Sequence, residues 1–350
     1  MEGELILADM IEGIPHPGET SELVGHHQAV SSLLGQYRTG RMHHAILLSG
    51  PKGIGKVTLA LKMATHIFAH PDAAYAPDSL VSMGDSNPVH SRIAARSHPN
   101  LLHLTRPWDH KSKKFKTRLT VDEIRQTVQF FGTARGESGW RVAIVDALDE
   151  MNASASNALL KILEEPPDRT IFFIIAHSMS SVMPTIRSRC QHMPLKPLSD
   201  DEVLEVLETQ NVLDGLDAEQ RRHLVELSGG SVRRAIILAR EEGLELYDSF
   251  TAICKSLPTP DWGEIQTLAD KVVARGKEDR YRLLLNFAYE FMHQNATRIP
   301  SAETAISSLA RWAEVWEKTR DSVRTAESYN LDRKQVILNL FHEMGEAERA

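Results

Sequence analysis

Short apolar runs alternate with amphipathic stretches through the first two hundred positions, and beyond them the runs stop. His44-Ala45-Ile46-Leu47-Leu48-Ser49 is apolar on both of its potential faces and is ended by Gly50, which predicts a buried parallel strand. Leu101–Leu104, Arg141–Val145 and Ile171–Ile175 predict three more strands. Between them, Val57–Ala69 carries Leu59, Met63 and Ile67 near a 3.6-residue period and reads as a helix. Thr120 with Glu123 three residues on is a capping box. The helix it opens presents Val121, Ile124, Val128 and Phe131 on one face. Ala155–Glu165 is helical until Pro166-Pro167 stops it. Strands alternating with helices predict an α/β domain, a parallel sheet covered by helices on both faces.

After about residue 195 only helical signals remain: Ser199–Glu208, Asp217–Ser228, Val232–Glu242, then helix or loop from Tyr247 onward. The expected organisation is an arm over 1–20 carrying Pro15 and Pro17, and an α/β nucleotide-type domain over 21–195. A small helical lid over 196–245 and an all-α domain over 246–350 follow. Residues 70–98, with Pro71, Pro77, Gly84 and Pro88, read as a loop or small insert.

Composition narrows the function classes. A net charge of −7 supplies no overall basic field for nucleic acid, so any DNA contact is local or made by partner chains. Two cysteines, Cys190 and Cys254, are too few for a disulfide scaffold or a cysteine zinc site. The start Met1-Glu2-Gly3-Glu4 lacks the basic residues and apolar core of a signal peptide. No stretch approaches the roughly 20 apolar residues of a membrane span. The expectation is a cytoplasmic protein without membrane contact.

Candidate chemistry begins at Gly50-Pro51-Lys52-Gly53-Ile54-Gly55-Lys56, a phosphate loop whose next position is Val57 instead of Ser or Thr. In such loops the backbone N–H groups wrap the phosphates, the Lys reaches the β and γ oxygens, and the hydroxyl holds Mg²⁺. Thr58 does not substitute, because one helical residue turns the side chain by about 100°. The strand Val142–Val145 ends in Asp146, a metal-site position or simply a turn residue. Where a hydrolysing site carries a water-polarising Glu, this chain has Ala147. Ser188-Arg189-Cys190 follows the last apolar strand and the turn at Pro184. Arg189 there is an arginine finger for a neighbour's γ-phosphate or a surface Arg paired with a carboxylate. In Gly229-Gly230-Ser231-Val232-Arg233-Arg234 the glycines end one helix and Ser231 caps the next. Arg233 in its first turn is then able to point back to the phosphate loop, or is a solvated residue at a helix junction.

Together these elements resemble the clamp-loader family of AAA+ proteins. The resemblance rests on Leu23-Val24-Gly25-His26, His98-Pro99-Asn100, Val121–Arg125 and Ser156-Asn157-Ala158-Leu159-Leu160-Lys161-Ile162-Leu163-Glu164-Glu165-Pro166-Pro167. Pro184–Cys190, Gly230–Arg233 and Asn330-Leu331-Asp332-Arg333 extend it to the C-terminal region. It implies a P-loop AAA+ domain, a lid and a helical collar, in a stator that helps load the sliding clamp of the bacterial replicative polymerase onto primed DNA. The implied partners are motor ATPase and delta chains in a hetero-pentameric ring. Arg189 matches the trans arginine finger of that family and Arg233 the residue that senses the γ-phosphate. Gly50, Gly53, Gly55, Lys56, Val57 and Asp146 then form a degenerate site, with ATP held weakly or not at all. The alternative is an active AAA+ ATPase such as the motor subunit. A P-loop kinase predicts an acceptor-binding domain, and the helical C-terminal third carries no evident catalytic cluster.

The family usually has a four-cysteine zinc module after the phosphate-loop helix, but 70–98 contains no cysteine, and His70, His90 and His98 are scattered, so no zinc is expected. The pairs His26-His27 and His43-His44 diverge on helix or strand and read as structural. Lys111-Ser112-Lys113-Lys114-Phe115-Lys116 is the densest basic run, a solvated hairpin loop or a local contact to a DNA backbone.

Overall fold

The computed structural model describes residues 8–80, 87–109, 114–116, 118–132, 139–297, 302–329 and 331–349. It begins with α1 His27–Arg38, β1 Ala45–Ser49, α2 Lys56–Ala69, α3 Pro88–Ala94 and β2 Leu101–Leu104. A two-residue pair, β3 Trp108–Asp109 and β4 Lys114–Phe115, precedes α4 Val121–Gly132 and β5 Arg141–Val145. Then come α5 Ala153–Glu164, β6 Thr170–Ala176, α6 Pro184–Arg187, β7 Gln191–Pro194 and α7 Asp200–Thr209. The remaining elements are helices: α8 Ala218–Ser228, α9 Val232–Arg240, α10 Gly243–Lys255, α11 Trp262–Val273, α12 Glu278–Thr297, α13 Ala302–Tyr329 and α14 Arg333–Arg349.

Five strands form one parallel sheet in the order β2-β5-β6-β1-β7. Every residue of β1 and β6 is buried, as unbroken apolar runs in a sheet covered on both faces require. Successive side chains point to opposite faces, so neighbouring residues feed separate cores. Ile46, Leu48, Val142, Ile144 and Phe173 pack with Leu33, Leu34 and Tyr37 of α1 and Leu59, Met63 and Ile67 of α2. Leu47, Ala143, Val145 and Phe172 pack on the other face with Ile124 and Phe131 of α4, Leu159 and Leu163 of α5 and Ile186 of α6. The helices therefore lie on both faces, as the alternation predicts.

The structure departs from the periodic pattern in three places. Val128 is 56% exposed, because the buried stripe of α4 runs from Ile124 through Thr127 to Phe131. Thr127 satisfies its hydroxyl by donating to the carbonyl of Ile124. Strand β7 gives no apolar signal, since only Met193 of its four residues is buried and it pairs on one side alone. Within 70–98, α3 is opened by Asn87, whose side chain accepts from Val89 N at 2.9 Å, with Pro88 at its first position. Lys111, Ser112 and Lys113 of the basic run lie outside the described residues, as do residues 1–7 of the arm, residues 81–86 and Asn330.

Close contacts divide the chain into two compact units, Met1–Asn211 with Gly229–Arg233, and Val212–Ser228 with Arg234–Ala350. The first contains the sheet, its covering helices and α7. The second is helical and has its own aromatic core. In it Phe250 of α10 lies 6.2 Å from the Phe287 ring of α12 and 5.9 Å from the Phe341 ring of α14. Arg280 closes the turn before α10 by donating to Glu241 O at 2.9 Å and to the Glu242 carboxylate at 2.5 Å.

Candidate functional site

The phosphate loop leaves the C-terminal end of β1 and enters α2 at Lys56. Backbone of this shape needs glycine: φ is 146° at Gly50, 83° at Gly53 and 97° at Gly55. At Gly53 space is also exhausted, because a Cβ there would lie 2.4 Å from Arg233 Cβ and 2.5 Å from Ser231 Oγ. Lys56 is buried, 3% exposed, and its Nζ donates to the carbonyls of Gly50 at 2.7 Å and Pro51 at 2.5 Å. Burial pulls the Lys56 ammonium down to about 8, against the charges of Asp146 and Asp149, which favour its protonated form.

Val57, in the first turn of α2, packs against the apolar cluster between the sheet and α1–α2. Ala147 belongs to the same cluster and is 1% exposed. Asp146, at the tip of β5, lies 3.9 Å from His103 Nε2, and its N–H donates to Leu104 O at 2.9 Å. The loop, Lys56 and Asp146 are thus brought to one end of the sheet. The positions of the metal-binding hydroxyl and the water-polarising carboxylate hold side chains that can serve neither purpose.

The segment Gly229–Arg233 closes over the loop. Ser231 Oγ donates to Lys52 O at 2.8 Å, and Arg233 N donates to Gly53 O at 3.4 Å. The Arg233 guanidinium does not reach for Lys56's end of the loop; it donates to the backbone carbonyl of Asp9 and lies 3.9 Å from the Asp9 carboxylate. That carboxylate also takes Lys52 Nζ at 3.0 Å and Arg106 Nη2 at 3.1 Å. Burial alone would raise Asp9, yet Lys52, Arg106 and Arg233 outweigh it and hold the acid at about 2. Glu150 completes the group, 2.7 Å from Arg106 Nε and 3.9 Å from Lys52 Nζ. His177, just after β6, is held down at about 4 by burial and then by Lys56 and Lys52.

Asp9, Arg106, Glu150 and His177 escape a reading of the sequence. No motif or period marks them; strand order carries Arg106, Glu150 and His177 to the loop, and the N-terminal arm brings Asp9. The fact that Lys52 lies inside the glycine motif is the one signal on the chain itself.

Arg189 lies apart from this group, between α6 and β7. Its Nη2 is 2.7 Å from the Glu164 carboxylate at the end of α5, and its Nη1 donates to Thr185 O at 3.1 Å. The side chain remains 36% exposed. In the single chain it therefore makes the carboxylate pair expected of a surface Arg. Among the described residues, no cluster of His, Cys, Asp or Glu is arranged to hold a metal ion, and no helix is long and apolar enough to cross a membrane.

A family model described as DNA polymerase III, delta subunit, matches residues 25–199, half of the chain. A DNA polymerase III subunit delta' of Pseudomonas aeruginosa is 35% identical over 208 residues, 58% of this chain and 57% of the relative. That of Bacillus subtilis is 33% identical over 172 residues, 49% of this chain and 48% of the relative. The chain thus matches about half the length of these relatives. Among solved structures, a DNA polymerase III gamma subunit-related protein from Thermotoga maritima aligns over 92% of this chain and 99% of its own, at 15% identity and a TM-score of 0.41. With the matched half carrying the phosphate loop, Asp146 and Arg189, the chain belongs to the delta-prime family of DNA polymerase III.

Proposed function

We propose that this chain is a non-hydrolysing stator of the clamp loader of the DNA polymerase III holoenzyme. It stands in a hetero-pentameric ring beside motor ATPase and delta chains and helps place the sliding clamp on primed DNA in the cytoplasm. The observation that carries this reading is the asymmetry between two sites of one chain. Its own phosphate loop has Val57 and a buried Ala147 where hydrolysis needs a hydroxyl and a carboxylate. Arg189, of no use to that loop, keeps an accessible guanidinium after the last helix before β7. Relatives named as gamma and gamma/tau subunits of DNA polymerase III support the kind of assembly proposed.

In that assembly Arg189 leaves Glu164 and points at the γ-phosphate held by the neighbour, where its charge offsets the charge that develops in phosphoryl transfer. Mg²⁺-ATP fits this chain's own loop poorly, because Val57 offers no metal ligand and the Lys56 amine is turned onto loop carbonyls. Weak or absent ATP binding is therefore part of the proposal, and so is the absence of zinc.

The test is steady-state ATP hydrolysis, by the isolated chain and by the complex reconstituted with motor and delta chains. The isolated chain is expected to show no turnover above background. Robust turnover that vanishes in Lys56→Ala would overturn the stator assignment in favour of an active ATPase.

A further inference from the structure

Three cations from three distant parts of the first unit converge on one carboxylate. Lys52 comes from the phosphate loop, Arg106 from the segment after β2, and Arg233 from the first turn of α9. Their distances to the Asp9 carboxylate are 3.0, 3.1 and 3.9 Å. Arg233 also holds the Asp9 carbonyl. We propose that Lys52, Arg106 and Arg233 form an anion site that the chain closes with its own Asp9, and that a phosphate group entering the loop must displace this carboxylate. The proposal deepens the degenerate-loop part of the function above and is independent of the trans role of Arg189.

Charge balance is the first argument. Without Asp9, three cations and the loop's Lys56 face Glu150, Asp146 and Asp149, and of these only Glu150 lies within ion-pair reach of Lys52 and Arg106. A surplus of positive charge at partly buried side chains is costly unless an anion fills it. Arg106, 18% exposed, and Arg233, 21% exposed, are the most withdrawn from water of the three. Guanidinium and ammonium groups around an oxyanion are equally suited to a carboxylate and to a phosphate. Asp9 therefore occupies the trio as an internal substitute for phosphate oxygens.

The second argument is how Asp9 is delivered. Its φ of 65° is left-handed, a conformation uncommon outside glycine that Asp and Asn adopt more readily than other residues. The turn presents the Asp9 side chain to Lys52 and Arg106 and its carbonyl to Arg233. Behind it the arm is fastened to the domain. His16 is 6% exposed, and its ring centroid lies 6.2 Å from that of His103 in β2. Lys62 of α2 donates to the carbonyls of Thr20 and, at 2.9 Å, Ser21. A carboxylate tethered seven residues from the buried His16 has an effective concentration on the order of millimolar. A phosphate ligand competes against that local concentration, which lowers its apparent affinity.

The experiment is carried out on the full chain. Binding of a fluorescent ATP analogue is followed by anisotropy, and binding of inorganic tripolyphosphate by calorimetry, for the wild type and Asp9→Asn. Asp9→Asn is expected to tighten at least one probe tenfold or more, and adding Arg106→Ala to that variant to reverse the gain. A gain for both probes assigns the site to phosphate chains in general; a gain for the analogue alone assigns it to nucleotides. Affinities within twofold of wild type for both probes, in a variant with an unchanged melting temperature, would overturn the proposal. A measurement on the unaltered chain covers the case in which Asp9→Asn misfolds. Saturating tripolyphosphate is expected to speed amide hydrogen exchange at Ile14, whose N–H donates to Ile11 O at 3.1 Å in the turn between Asp9 and His16, and unchanged exchange counts against displacement. Ring assembly and the Arg189-dependent ATPase of the complex are read separately, so failure here leaves the stator proposal intact.

Discussion

The Arg189 guanidinium stands 2.7 Å from the Glu164 carboxylate, a pair that joins the end of α5 to the turn before β7. Both side chains are more than a third exposed, so the pair is worth at most about 1 kcal/mol to the fold. Arg189→Ala is therefore expected to lower the unfolding free energy of the isolated chain, measured in urea, by no more than that amount. In the reconstituted complex the same variant is expected to depress hydrolysis at the neighbouring site, where a finger supplies about 10³–10⁵ in rate. A complex whose clamp-stimulated ATPase is unchanged by Arg189→Ala would return the residue to a purely local role.

His66 sets a pH dependence. It lies within α2, 1% exposed, against the rings of Tyr37 and His70, and neither ring nitrogen has a hydrogen-bond partner among the described residues. Burial, with His70 beside it, holds His66 down at about 4 from 6.5. The unfolded chain thus binds the proton first as pH falls, and stability is lost from about pH 6.5 down to about pH 4. His16, down at about 3, and His177, down at about 4, act in the same direction. Each contributes a slope of up to about 1.4 kcal/mol per pH unit. Urea unfolding at pH 7, 6 and 5 checks this, and His66→Phe is expected to flatten the slope.

Two glycines should respond in opposite ways to alanine. At Gly53 the positive φ and the 2.4 Å approach to Arg233 Cβ forbid a side chain, so Gly53→Ala is expected to cost about 1–3 kcal/mol. Gly35 sits inside α1 with nothing within 4 Å of a built Cβ. Gly35→Ala is expected to stabilise by about 0.5–1 kcal/mol, because helix interiors favour alanine and the unfolded chain loses freedom. Thermal melts of the two variants give the comparison.

Phe173 and Val128 test the assignment of faces. Phe173 is fully buried between the sheet and α1–α2, and truncation to alanine is expected to cost about 3–5 kcal/mol. Val128→Ala, at an exposed position of α4, is expected to stay within about 0.5 kcal/mol of wild type. Equal losses in the two variants, measured by urea unfolding, would contradict the burial of Thr127 in place of Val128.

Strands β1, β2, β5 and β6 and the helices α2, α4 and α5 between them are legible in the amino-acid sequence, because burial on both faces leaves an unbroken apolar run and burial on one face leaves a period. The loss of the hydroxyl at Val57 and of the carboxylate at Ala147 is legible as well, since a loop motif and a strand tip are local in the chain. Tertiary structure alone decided the rest. Strand β7 takes its place from pairing with β1 and carries little apolar signal. Arg233 is turned onto the N-terminal arm, and Asp9 gathers cations from positions 52, 106 and 233. Ion pairs between residues so far apart leave no periodicity to read. They exist only where strand order and a closing segment bring the charges within about 4 Å, and a single charged residue gives no sign of which partner that will be.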